Sequence, residues 1–205
     1  MKVIQHILFE RALKEASIPI KGIRIDHGTP INYNGSEQYN FVFPQSFLKD
    51  IEPLWNQKRI YDYIFLGSIS GSHRQFLTKW NKPKSLISRT QNNGFSHPSK
   101  NPKAYPDNYF NKKYFEQLCQ SKFCLAPGGS PMNQPQFKKI KKFIWSYRFY
   151  EACLCKCIPI TNEPDPNLHP DFKFYSLEED HVYREDWVEQ NLKTLKNHHF
   201  LYNIQ

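Results

Sequence analysis

The stretch from Ser121 to Thr161 constrains the fold more than any other part of the chain. Ser121-Lys-Phe-Cys-Leu-Ala126 reads as a buried strand that runs into a glycine turn at Pro127, Gly128 and Gly129. Further on, Phe143, Tyr147, Tyr150, Leu154 and Cys157 recur at helical spacing and mark one apolar stripe of a helix from about 143 to 156. Cys157-Ile-Pro-Ile-Thr161 then reads as a second short strand. Strand, glycine turn, helix and strand in that order form a βαβ unit, the usual cradle for a nucleotide.

Inside this helix Arg148 and Glu151 stand three residues apart, so they lie side by side on one face. A guanidinium suits a diphosphate, and a carboxylate suits ribose hydroxyls. On an isolated helix the pair would be an exposed ion pair worth about 0.3–0.5 kcal/mol. The flanking strands and glycine turn favour a site that holds a sugar nucleotide. Gly128 and Gly129 lack a Cβ, so backbone amides can approach an anion there, and a following helix start adds its dipole. A Pro-Gly-Gly on its own would be an ordinary surface turn.

The rest of the chain alternates in the same way. Ile4, Ile7, Leu8, Ala12 and Leu13 form a helical stripe that Pro19 ends. Lys21 to Ile25 reads as a short strand, and Asp26 to Pro30 as a turn at its end. Residues 31–60 are weakly patterned, with a strand expected at Tyr39–Phe43 and a short helix at Phe47–Trp55 broken at Pro53. Tyr61 to Gly67 is a buried strand, a helix is expected from near Ser72 through Trp80, and Lys84–Arg89 is the next strand. Residues 91–108, rich in Asn, Pro, Ser and Lys, read as an irregular loop before a helix at Tyr109–Gln120. A short segment at Phe172–Tyr175 and a helix at Arg184–Lys196 close the pattern. The expectation is an α/β fold: a Rossmann-like parallel sheet with helices on both faces over residues 61–205, and a small N-terminal α/β part at 1–60.

Charge narrows the partners. The 205 residues carry a net charge of +9, and 16% are aromatic. Such a composition suits nucleic acid, phosphorylated substrates or an anionic membrane surface. No RNP1 or GXXG signature occurs, so no nucleic-acid partner is expected. There is no run of about 18 apolar residues and hence no expected membrane span. Met1 to Glu10 lacks a long apolar core and a small-residue cleavage site, so no secretory leader is expected either. Five cysteines, an odd number, fit a reducing cytoplasm. Cys153 and Cys155 fall on nearly opposite faces of a helix and cannot share one tetrahedral ion with Cys157. With Cys119 and Cys124 they read as small buried hydrophobes.

Taken together, Ser121-Lys-Phe-Cys-Leu-Ala-Pro-Gly-Gly129, Arg148-Phe-Tyr-Glu-Ala152 and Cys157-Ile-Pro-Ile160 resemble the donor-binding half of exostosin-type GT-B glycosyltransferases. The resemblance spans about residues 61 to 195. It implies that Arg148 contacts the donor diphosphate, that Glu151 binds the ribose hydroxyls, and that Pro127, Gly128 and Gly129 line the donor site. Gly67, Ser68 and Arg74 match a turn that faces the donor phosphates in such enzymes. It further implies transfer of a sugar from a UDP- or GDP-linked donor to a glycan or lipid-linked glycan. No cofactor or metal is expected, since no Asp-x-Asp occurs. The chain departs from the family pattern at Lys156, where a glycine precedes Cys-Ile-Pro, and in having only about 60 residues before the donor half.

In the N-terminal part, Asp26 and His27 are the candidates for the base that deprotonates the acceptor hydroxyl in an inverting displacement. An Asp there also caps a turn on its own account; His73 and His97 are weaker candidates. Lys138, Lys139, Lys141 and Lys142 crowd the loop before the helix, where they suit a solvated face, a clamp on the donor or a peripheral membrane contact. Two other readings stay open: a nucleotide-sugar-binding half-domain without catalysis, and a basic nucleic-acid-binding protein.

Overall fold

A computed structural model describes residues 12, 14–17, 31–33, 36–38, 43–67, 69, 72–88, 112–128, 147–162, 164 and 168–200. The continuous apolar runs form the strands of one sheet: β3 (Tyr61–Leu66), β4 (Ser85–Ser88), β5 (Ser121–Leu125) and β6 (Ile158–Ile160). All pairings are parallel and the spatial order is β4-β3-β5-β6. Ile64 lies opposite both Leu86 and Cys124, and Phe123 opposite Ile158. Tyr175 extends β6 by a parallel bridge to Ile160.

Strands this apolar must be covered on both faces. Alternation divides them between two cores. Ile64, Leu66, Cys124 and Ala126 pack against helices α1 (Gln45–Ile51), α2 (Lys112–Cys119) and α3 (Tyr147–Leu154). Phe65, Phe123, Leu125, Ile158 and Ile160 face Leu77, from a 3-10 helix at Ser72–Lys79, and Val188 of α4 (Glu185–His198). The result is the Rossmann-like α/β sheet with helices on both faces. Phe43, Phe47, Ile51 and Leu54 belong to the first of these cores, so residues 43–54 share it with the sheet. Phe47 meets Phe115 edge to face at 5.7 Å, and each such ring contributes about 1.5–3 kcal/mol of burial.

Two local features differ from the sequence pattern. Ile31–Tyr33 and Ser36–Gln38 form β1 and β2, an antiparallel pair with Tyr33 opposite Ser36. The helix at Ser72–Lys79 is of the tighter 3-10 kind, and there the Thr78 hydroxyl donates to the Gln75 carbonyl, a local bond that competes with α geometry. Of the helix expected before Pro19, Ala12, Lys14 and Glu15 are helical; its residues 1–11, the strand at 21–25 and the turn at 26–30 lie outside the described residues.

Helix α3 ends in a Schellman motif. The amide of Cys157 donates to Ala152 O at 2.8 Å and that of Lys156 to Cys153 O at 3.1 Å. Lys156 occupies the left-handed position with φ 58, where glycine would be relaxed. Its ammonium pairs with Glu189 at 2.9 Å and lies 4.9 Å from the Trp55 ring centroid. Its carbonyl accepts from Arg59 Nη2 and from the Tyr183 hydroxyl. Glycine and alanine at 156 lose the same side-chain contacts, but only glycine relieves the backbone. Lys156→Gly is therefore expected to be more stable than Lys156→Ala by about 1 kcal/mol, measured by urea midpoints. Equal midpoints would show that the turn holds no such strain.

Candidate functional site at the strand ends

Four parallel strands end at one edge of the sheet, and the chain leaves β3 and β5 in opposite directions, toward β4 and toward β6. That reversal makes a crevice outside the carboxyl ends of β3 and β5, the place where open α/β sheets take ligands. Gly67 follows β3 on one side; Ala126, Pro127 and Gly128 follow β5 on the other.

Two guanidinium groups cross this crevice reciprocally. Arg148, in the helix that follows β5, reaches back to β3, and its Nη2 donates to Leu66 O at 2.7 Å. Its guanidinium carbon lies 4.6 Å from the centroid of the Phe65 ring. Arg74, in the helix that follows β3, reaches the β5 turn, and its Nε and Nη2 donate to Gly128 O at 3.2 and 2.9 Å. Glycine at 67 leaves room for this approach: a Cβ there would collide with Nη2 of Arg148. Arg74 is buried, as are Pro127 and Gly128, whereas Arg148 keeps part of its surface open.

Glu151 sits one turn deeper and is 2% exposed. Its Oε2 accepts a hydrogen bond from the Tyr114 hydroxyl of α2 at 2.5 Å. Among the described residues, Glu151 Oε1 and Arg148 Nε are the buried side-chain atoms that lack a hydrogen-bond partner. Each such atom costs about 1–3 kcal/mol, so the cluster gives up stability beside the crevice. Burial pushes the Glu151 carboxyl up to about 7, against the opposing pull of the Tyr114 hydrogen bond and the Arg148 charge. Burial, and then the Glu151 charge, also hold the Tyr114 phenol well above its ordinary value. No ion pair within 4 Å joins Arg148 to a carboxylate among the described residues.

Of the residues expected from sequence, Gly67, Arg74, Pro127, Gly128 and Arg148 come together at this crevice, with Glu151 below them. Ser68, Gly129, Asp26, His27 and the lysines at 138, 139, 141 and 142 lie outside the described residues. The sequence pattern does not by itself mark Tyr114 or Phe65 as site residues. A tyrosine on a buried helical face was the available signal for the first, since its hydroxyl needs a partner. All five cysteines are buried, and burial pushes the Cys157 thiol up to about 12, so it is no ready nucleophile.

A cavity of about 300 Å³ opens at the other end of the strands, lined by Asp62, Tyr63, Lys82, Pro83, Lys122, Phe123, His181 and Tyr183. The two guanidinium groups lie instead at the carboxyl-end crevice, where the strands diverge.

Protein-family models and curated proteins alike give no match to this chain. Among the described residues no helix is long and apolar enough to cross a membrane.

Proposed function

We propose that this chain is a GT-B-type glycosyltransferase that takes a nucleoside-diphosphate sugar in the crevice between β3 and β5. The observation that carries the reading is the Arg148 guanidinium, held across the switch point by Leu66 O with part of its surface open. A pyrophosphate beside it would gain charge-assisted hydrogen bonds, and the departing diphosphate's charge would be offset without a metal. Arg74 would hold the glycine turn against the same ligand. Glu151, as packed here, acts on Arg148 from below; it meets the ribose only where Oε1 opens to the crevice.

The donor in this reading is UDP- or GDP-linked, and the acceptor is a hydroxyl of a glycan or lipid-linked glycan. Asp26 or His27 would take the acceptor's proton in an inverting displacement. The setting would be cytoplasmic, with the lysines at 138–142 facing an anionic membrane. Calorimetric titration of the full chain with UDP and with GDP tests the reading directly. Binding of one of them with a Kd between about 1 μM and 1 mM is expected. No saturable heat with either nucleotide would overturn it.

A further inference from the structure

We propose that the cavity at the amino ends of β3 and β5 is a second binding site, for a hydroxylated cyclic monocarboxylate such as a hexuronate unit. It lies at the opposite end of the strands from the nucleotide crevice, and nothing in the proposed transfer uses it. About 300 Å³ is room for a single six-membered ring.

The lining selects the charge. Asp62 holds Lys122 at 2.8 Å, so that pair is neutral overall. Lys82 has no carboxylate within 4 Å among the described residues. Its ammonium lies 5.2 and 5.3 Å from the Tyr63 and Trp80 ring centroids, and 3.5 Å from His181 Nδ1. Glu179 and Asp180 precede His181 but do not line the cavity. One uncompensated positive charge matches a monoanion and would leave a doubly charged phosphate only half neutralised.

A polar edge selects hydroxyls. His181 Nε2 is 2.9 Å from Ser176 O, and a carbonyl only accepts, so Nε2 carries the proton. Nδ1 of the neutral ring is then an acceptor, 3.3 Å from the Tyr63 hydroxyl. Burial lowers the His181 pKa, which keeps the ring neutral near pH 7. The Tyr63 hydroxyl donates into the one lone pair of Nδ1, which leaves the Tyr63 oxygen as the acceptor offered to a ligand's hydroxyl group. The floor is aromatic: Tyr63 and Phe123 stack at 5.4 Å, with Tyr183 beside Phe123. Such a surface takes the C–H face of a pyranose.

The experiment is an NMR titration of the full chain with D-glucuronate, with D-glucose and acetate as the ring-only and charge-only controls. Saturable amide shifts at Tyr63, Lys82, Phe123 and His181 are expected with a Kd near 1 mM or somewhat weaker, typical of a small polar ligand. Each control should bind at least about tenfold more weakly, and Lys82→Met should weaken glucuronate by about tenfold while leaving nucleotide binding unchanged. Absence of saturable shifts with glucuronate on the unaltered protein would overturn the proposal. So would equal affinity for glucose and glucuronate, or full affinity in a folded Lys82→Met variant.

Discussion

Arg148→Ala is expected to weaken UDP or GDP binding by about 10²-fold while the fold survives. Charge-assisted hydrogen bonds contribute about 1.5–3 kcal/mol each, and one or two to a pyrophosphate account for a loss of about 3 kcal/mol. Stability should change little, within about 1 kcal/mol. Alanine is the best helix former, and the change removes the unpartnered Nε along with the bond to Leu66 O. Arg148→Lys should fall between the two, because one ammonium cannot hold Leu66 O and a phosphate as a planar fork does. Gly67→Ala provides an independent approach to the same group. Its Cβ would strike Nη2 of Arg148, the far end of a flexible side chain, so the guanidinium is what yields. An affinity loss of about tenfold is expected there. Calorimetry on the three variants decides the matter: an unchanged affinity in Arg148→Ala removes this residue from the site.

The parts of this site visible in the sequence were those fixed by local spacing. Tyr61–Leu66 and Ser121–Leu125 announce themselves because strands buried on both faces are continuous apolar runs. The glycine turn and the position of Arg148 near the start of the next helix follow from chain order alone. The environment of Glu151 did not follow. A single apolar stripe through Tyr150 and Leu154 left Glu151 beside Arg148 at the surface of the crevice. In the fold Phe149, Ala152 and Cys153 are buried as well, so α3 is enclosed nearly all round and its carboxylate goes inside with it. Tyr114, its partner, lies 37 residues away, and no local pattern connects them. The β1–β2 pair was legible in principle. Asn34-Gly35 is the strongest short hairpin signal, but three-residue strands are too short to show alternation. At 156 the turn takes the left-handed conformation, which glycine adopts freely, with lysine in place.

Stability is expected to fall between about pH 5 and pH 8 because of Glu151, and Glu151→Gln should remove that slope. Burial makes ionisation of this carboxyl harder in the folded chain than in the unfolded one, moving it from 4.5 to about 7. Between those values the folded protein keeps a proton that the unfolded chain has released, so raising the pH favours unfolding. Below 4.5 both states are protonated and the contribution is present in full; it is lost as pH rises through 7. At about 1.4 kcal/mol per pH unit, the whole contribution is about 3 kcal/mol. Other titrating groups act on both proteins alike, so the difference between the two is the informative quantity. Glutamine still accepts from the Tyr114 hydroxyl, but its amide N–H meets the place where Oε1 has no partner. The variant should therefore be slightly less stable at pH 5 and about 2 kcal/mol more stable at pH 8. Nucleotide binding should follow the same group. An ionised Glu151 beneath Arg148 partly neutralises the guanidinium's field, so the variant should hold its affinity at pH 8 better than the parent does. Urea midpoints at the two pH values, with calorimetry alongside, make the test. Parallel stability profiles for parent and variant would mean that this carboxyl does not change its proton affinity on folding, and the polar cluster under Arg148 would then have no part in tuning its charge.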